Sequence, residues 1–283
     1  MIFLRQVARF LLALLLCLDA HRVGRAGSVS LHPTADTTIS QKTSVPTTEL
    51  VIGTNGKSQS SRALLKFDIA GNIPSNAIIT SAALTVTVTK VPPGGGISSL
   101  FDLRAVLFAW SPSDATWANR LAATPWSTLG GAVGVDFSNK ISQTNFFGSA
   151  TGLYTFISNS NLVADVQNWL QNASANFGWV VISEMQGVLH SERTLDASSP
   201  TLLVQFTVPA TPPTITLSSV TNGIFRFYFN AESNRTYVVQ YVDRLSNPNW
   251  SVLTNFSLSS IPTNFFVSDF LTTSNRFYRV QTP

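Results

Sequence analysis

The run Ala82-Ala83-Leu84-Thr85-Val86-Thr87-Val88-Thr89 alternates apolar and hydroxyl side chains with a period of two. On a helix that pattern would scatter the apolar residues around the cylinder; on a strand it gathers Leu84, Val86 and Val88 on one face. The preceding run, Ala63 to Ile69, places Leu65, Phe67 and Ile69 on one face and Leu64, Lys66 and Asp68 on the other. Gly71-Asn72 and Pro74-Ser75-Asn76 between the runs supply turn chemistry. Two strands of this kind, each with one buried and one wet face, need a facing sheet to bury against.

The rest of the chain supplies it. Short apolar runs at Val29 to Leu31, Ala35 to Ile39 and Leu50 to Gly53 read as strands, the first stopped by Pro33. Leu100 to Trp110 reads as a strand buried on both faces for part of its length. Ser111 to Gly134 is long and irregular, holding Trp117, Trp126, Pro112, Pro125 and Gly130-Gly131, and a loop of that length has a task or packs on itself. Asn161 to Asn172 predicts a helix, with Asn161 or Ser160 as N-cap and Val163, Val166, Trp169 and Leu170 on one face. Strands follow at Gly178 to Ser183 and Thr201 to Val208. Pro209 to Pro213 is a stiff linker, and beyond it six short strands separated by Asn-rich turns predict a second small sandwich.

The first residues are read as a secretion signal. Arg5 and Arg9 precede the apolar stretch Phe10 to Leu18, and Gly24-Arg25-Ala26 offers small residues for cleavage after Ala26. Without Arg5, Arg9, Arg22, Arg25 and Asp19, 14 Lys and Arg face 13 Asp and Glu, a net charge of +1 in place of +4. No general basic field remains to draw in nucleic acid or an anionic membrane. The single cysteine, Cys17, leaves with the leader, which excludes disulfides, thiolate metal sites and thiol nucleophiles from residues 27–283. The expected architecture is therefore all-β: a leader over 1–26, a β-sandwich with one short helix over 27–208, a linker over 209–213 and a small β-sandwich over 214–283.

The order of several short motifs resembles the DNRLRE-type domain. The motifs are Ala35-Asp36 to Ile39, Leu50 to Gly53, Arg62 to Ile69 with Ile73-Pro74, Ser81 to Leu84, Trp110 with Thr116 to Asn119, and Trp126 with Gly130-Gly131. Asn176 to Trp179, Ser191-Glu192 and Ser199 to Leu203 continue the likeness, which covers about residues 29–208. Ser191-Glu192-Arg193 departs from the family's Ser-Arg-Glu-like triplet. The resemblance implies a jelly-roll β-sandwich of secreted proteins, some of which bind acidic polysaccharides such as alginate. Residues 212–283 resemble the short C-terminal β-modules of secreted bacterial proteins, a likeness that implies no chemistry.

Arg62, Lys66 and Arg104 are the candidate ligand-binding cations, able to pair with uronate carboxylates. Trp117 and Trp126 are the candidate aromatic platforms for sugar rings, with packing of the long loop onto the sandwich the favoured role. Asp36 and Asp136 are the candidate ligands of a structural calcium. Asp68, Asp102, Glu184 and Glu192 are the carboxylates from which a glycosidase pair would have to come, with ion pairing to Lys66 or Arg104 the favoured role. His32 and His190 lie near no Gly-x-Ser-x-Gly elbow. Sequons occur at Asn172, Asn234, Asn249 and Asn255. The leading expectation is a secreted, non-catalytic protein binding an acidic polysaccharide; the rival is a structural or adhesive surface protein that binds no sugar.

Overall fold

The structure is a computed structural model that describes residues 24–183, 189–232, 235–246, 249–257, 265–272 and 275–282. Residues 1–23 of the expected leader, Glu184 and Asn234 lie outside the described residues. The chain divides into two compact units, Ala26–Val208 and one that takes in Pro209–Pro283.

The first unit contains β1 (Arg25–Leu31), β2 (Ala35–Ser40), β3 (Glu49–Thr54), β4 (Ser60–Lys66), β5 (Ile78–Lys90) and β6 (Ser99–Ala105). A small hairpin of β7 (Asn119–Leu121) and β8 (Thr124–Pro125) comes next. Then follow β9 (Gln143–Phe147), β10 (Gly152–Phe156), the helix α1 (Ser160–Gln171), β11 (Trp179–Ser183), β12 (Arg193–Asp196) and β13 (Thr201–Val208).

The alternating run of residues 82–89 lies in β5, the centre of one layer. Leu84 pairs with Phe156 of β10 and with Leu202 of β13, so those two strands flank it on opposite edges. β12 continues the line of β13 along β5 and also pairs with β3. The break between β12 and β13 is closed by Ser199, whose hydroxyl accepts the Thr87 N–H at 3.1 Å. The second layer is ordered β2-β4-β11-β6-β9, and β3 reaches it through β4. One curled antiparallel sheet thus folds over on itself as a β-sandwich.

Between the layers lie Leu65, Phe67, Leu84, Val86, Val88, Phe101, Leu103 and Trp179, each essentially without exposed surface. The helix packs against this core through Leu162, Val166, Trp169 and Leu170. Its cap is Asn159, whose Oδ1 accepts the Leu162 N–H at 2.8 Å, one or two residues earlier than the sequence indicates. Asp165, one turn in, accepts the Trp179 indole N–H at 2.9 Å and so ties the helix to β11.

The second layer departs from the half-wet pattern expected of it. Leu64, on the face opposite Leu65, is fully buried in a second core with Ile39, Val106, Ala115, Trp126, Phe137, Val180 and Ile182. The segment after β6 lies over that face and covers it, so β4 and β11 carry apolar side chains on both sides. Asp68 is not in the strand: β4 ends at Lys66, and the Asp68 carboxylate accepts the Gly71 N–H at 2.9 Å in a turn. The strand expected to run to Trp110 ends at Ala105, where Val106 bridges to Phe137 instead. Gly178 enters β11 at φ +77°, with the Leu65 carbonyl where a Cβ would stand, so only glycine fits.

Arg193 closes the end of the sandwich. It is fully buried, and its guanidinium donates to the carbonyl oxygens of Ile97, Gly148, Ser191 and Glu192 at 2.7–3.2 Å. Three loops are thereby tied to one planar cation. Burial pushes its pKa down, with Tyr154 acting in the opposite sense.

The second unit has β14 (Ile215–Thr221), β15 (Ile224–Phe229), β16 (Thr236–Val242), β17 (Ser251–Ser257), β18 (Phe265–Phe270) and β19 (Phe277–Gln281). They form two three-stranded sheets, β14-β15-β18 and β17-β16-β19, around Phe227, Phe229, Tyr237, Val239, Val267 and Val280. Asn222 and Gly223 both adopt positive φ, the geometry of a tight hairpin turn between β14 and β15.

Replacing Arg193 with Ala leaves four carbonyls, that of Ser191 buried, without their shared donor. The expected cost is roughly 3–5 kcal/mol in a urea titration. Arg193→Lys, a single ammonium without the fork, should recover only part of it; an unchanged midpoint for the Ala variant would contradict this role.

Candidate functional site

The residue expected to lead ligand binding faces inward. Arg62 of β4 is only 7% exposed. Its Nη1 donates to the Gly131 carbonyl at 2.7 Å and also to that of Gly130. Its guanidinium lies 5.3 Å from the ring centre of Trp117 and 5.7 Å from that of Phe137. Burial lowers its pKa to about 10, against the opposing pull of the Asp136 charge. Arg62 therefore anchors the covering segment, and its expected place in ligand binding is corrected accordingly.

The two tryptophans belong to the same anchor. Trp126 is buried against Phe137, ring centres 5.4 Å apart, and donates its indole N–H to the Thr116 carbonyl at 3.0 Å. Trp117 is half-buried, and its ring lies where a Cβ on Gly130 would stand, which accounts for a glycine there. Neither offers a free flat face of the kind a sugar platform needs.

Asp136 is likewise inside the segment. It accepts N–H bonds from Ser127 at 3.1–3.2 Å and from Ala132 at 2.8 Å, together with the Ser127 hydroxyl. A carboxylate whose oxygens already accept three protein donors is committed to holding its loop, which corrects its reading as a calcium ligand. Among the described residues no group of three or more His, Cys, Asp or Glu converges on a point.

Arg104 pairs with the buried Asp102 at 2.8 Å and donates to the Asn139 carbonyl at 2.8 Å. Asp102 also accepts the Thr144 hydroxyl at 2.6 Å. Glu192 faces Lys42 at 2.6 Å. These carboxylates are framework groups, and His32 and His190 are exposed. Lys66 is half-exposed at the end of β4, paired across the ladder with Ala35, and no partner for its ammonium is found among the described residues.

Asp36 differs from all of these. It sits on the edge strand β2 and lines a cleft of about 340 Å³, a size within the range of small-molecule sites, roughly 300–1,000 Å³. One wall is β2 itself, with Thr37 and Thr38. A second is the connection to β3, stiffened by Pro46 and carrying Val45 and Thr47, with Glu49 and Leu50 at its end. The third is Pro112-Ser113 at the head of the covering segment. Glu49 is partly neutralised by the exposed Lys90, with which it forms an ion pair. Asp36 has no hydrogen-bond or ion-pair partner among the described residues, and burial alone raises its pKa.

The cleft thus combines a carboxylate without a side-chain partner among the described residues, the Thr47 hydroxyl, and proline and valine surfaces, while the Thr38 and Ser113 hydroxyls are engaged by the Val51 N–H and by Ser111 and Asp114. Such a set accepts and donates hydrogen bonds to a polyhydroxylated ligand and packs against its C–H faces. It contains no arginine, lysine or aromatic ring. Of the seven residues proposed from the sequence, Asp36 alone lines it. The loop Val45-Pro46-Thr47 was the available signal, since a proline-stiffened connection beside an edge strand makes a fixed wall.

Residues 27–132 match the model of carbohydrate-binding module family 96. Every residue lining the cleft falls within that span. No curated protein matches the chain. Among the described residues no helix is long and apolar enough to cross a membrane.

Arg62→Ala should loosen the covering segment. Expected are a loss of about 2–4 kcal/mol in stability and a red shift of tryptophan emission as Trp117 and Trp126 meet water. Unchanged emission and midpoint would show that the segment is held by other means.

Proposed function

We propose that this chain is a secreted, non-catalytic carbohydrate-binding protein whose first unit holds a glycan in the Asp36 cleft. The supporting observation is the coincidence of that cleft with the span matched by a carbohydrate-binding family. Asp36 acts as a charge-assisted acceptor for sugar hydroxyls, with Thr47 as a neutral partner. Pro46 and Pro112 pack on the sugar's apolar edges.

Recognition of an acidic polysaccharide through Arg62 and Arg104 has little support here, because both guanidinium groups are spent inside the fold. Hydroxyl recognition at this cleft predicts binding that varies little with ionic strength, whereas uronate pairing predicts steep loss with salt. A calcium ion is the rival occupant of Asp36, and a chelator separates the two: affinity that survives chelation belongs to direct hydroxyl recognition.

The Asp36 carboxyl gives two slopes of opposite sign. Its pKa is raised in the folded protein. The stability linked to it is therefore present below the unfolded-state pKa and is lost as pH rises through the folded value. Glycan binding uses the ionised form and should weaken as pH falls through that same value. Asp36→Asn is accordingly expected to raise the melting temperature slightly at neutral pH. By calorimetry it should weaken binding of a neutral oligosaccharide about tenfold, the worth of one charge-assisted hydrogen bond. A folded Asp36→Asn protein with undiminished affinity would remove the cleft from the account.

A further inference from the structure

The second unit carries an exposed face that the cleft does not explain. On β15 the core takes Phe225, Phe227 and Phe229, so Ile224, Arg226 and Tyr228 project from the other side of the sheet. Cross-strand pairing sets Phe266 beside Tyr228, Ser268 beside Arg226 and Phe270 beside Ile224. On the other flank Ser219 lies opposite Arg226. Phe270 is 68% exposed and Phe266 45%. The Tyr228 and Phe266 rings touch, with centres 5.4 Å apart.

Arg226 stands between the aromatic groups. No hydrogen bond or ion pair to it is found among the described residues. Its cross-strand neighbours are the two serines, so no carboxylate stands opposite it on the ladder. Two arginines of the same unit contrast with it: Arg276 is held by Asp243 and Asp269 at 2.8–2.9 Å, and Arg279 stacks on Trp250 and donates to Gln240.

The face is banded: an aromatic pair, then a polar row of serine, arginine and serine, then Phe270. A protein interface would place its apolar residues contiguously at the centre. Here a lone cation and two hydroxyls separate them. Aromatic rings suit the C–H faces of sugars, and a guanidinium without a partner suits a carboxylate through paired hydrogen bonds. Alternate residues along the strand are about 6.8 Å apart, so stacking and ion pairing fall on neighbouring parts of one extended ligand.

We infer that the outer face of β14-β15-β18 is a second glycan-binding surface, selective for a carboxylate-bearing chain, with Tyr228 and Phe266 as the platform and Arg226 as the carboxylate partner. It uses no residue of the Asp36 cleft and stands or falls separately from it.

The full chain is tested by affinity electrophoresis in gels containing polygalacturonate, and in parallel by calorimetry with the neutral oligosaccharide used for the cleft. Arg226→Gln and the double variant Tyr228→Ala/Phe266→Ala should each weaken polygalacturonate retention at least fivefold, and added salt should weaken that of the wild type. Arg226→Lys should fall between. None of the three should alter neutral-glycan affinity, and Asp36→Asn should leave polygalacturonate retention intact. Thermal unfolding checks that the variants fold. The inference is overturned if wild type and folded variants are retained alike, if none is retained, or if the substitutions change only self-association in sedimentation or binding to anionic phospholipid vesicles.

Discussion

Burial of both faces of β4 and β11 is the constraint on which the first unit depends. A sandwich normally leaves the outer side of each sheet to water. Here Leu64, Val180 and Ile182 make the outer side apolar, and something must cover it. The segment from Val106 to Phe137 does so without regular structure beyond one small hairpin. It is held by Arg62 through the Gly130 and Gly131 carbonyls, and by Asp136 through the N–H groups of Ser127 and Ala132. Arginine inside and carboxylate inside thus organise a loop that would otherwise expose unsatisfied backbone. The same segment contributes Pro112 and Ser113 to the cleft, so the coat that completes the core also forms one of its walls.

The second unit meets a similar requirement differently. Its core is aromatic, with Phe227, Phe229 and Tyr237 fully buried and Phe225 stacked on Tyr278 at 4.8 Å. At one end Asp269 of β18 accepts the Tyr278 hydroxyl of β19 at 2.8 Å and pairs with Arg276, which in turn reaches Asp243 and stacks on Tyr241. That network joins the two sheets and holds the Tyr278 hydroxyl protonated, its pKa raised chiefly by burial and then by the neighbouring carboxylate. Arg276 and Asp269 are paired within the framework, whereas Arg226 has only serines opposite it on the ladder.

What was legible in the sequence is what local pattern controls. The alternation at 82–89 fixed β5 and its buried Leu84, Val86 and Val88, and the apolar spacing fixed the helix to within a residue or two of its cap. Asn222-Gly223 marked a hairpin, and the six short strands of the second unit were each signalled by their own β-rich runs. What was not legible depends on distant partners. Leu64 looks wet until a segment more than 40 residues away is laid over it. Arg62 looks like a ligand cation because a guanidinium serves equally well for ligands and for anchoring loops, whereas the packing role favoured for Trp117 and Trp126 could be read from their place in the long loop. Asp136 reads as a metal ligand until its own loop supplies the donors. Asp36 was picked out as a loop acid, but the cleft around it was not, because it is assembled from three separated stretches.

The central claim is that the tryptophan-bearing segment is structural while the neighbouring Asp36 cleft receives the glycan. Hydrogen exchange of the full chain, measured with and without a saturating neutral oligosaccharide, tests it most directly. The account predicts added protection at amides of residues 36–50 and 112–113, with residues 117–131 already protected in the free protein and unchanged on binding. Ligand-induced protection concentrated at residues 117–131, with the cleft unaffected, would contradict it.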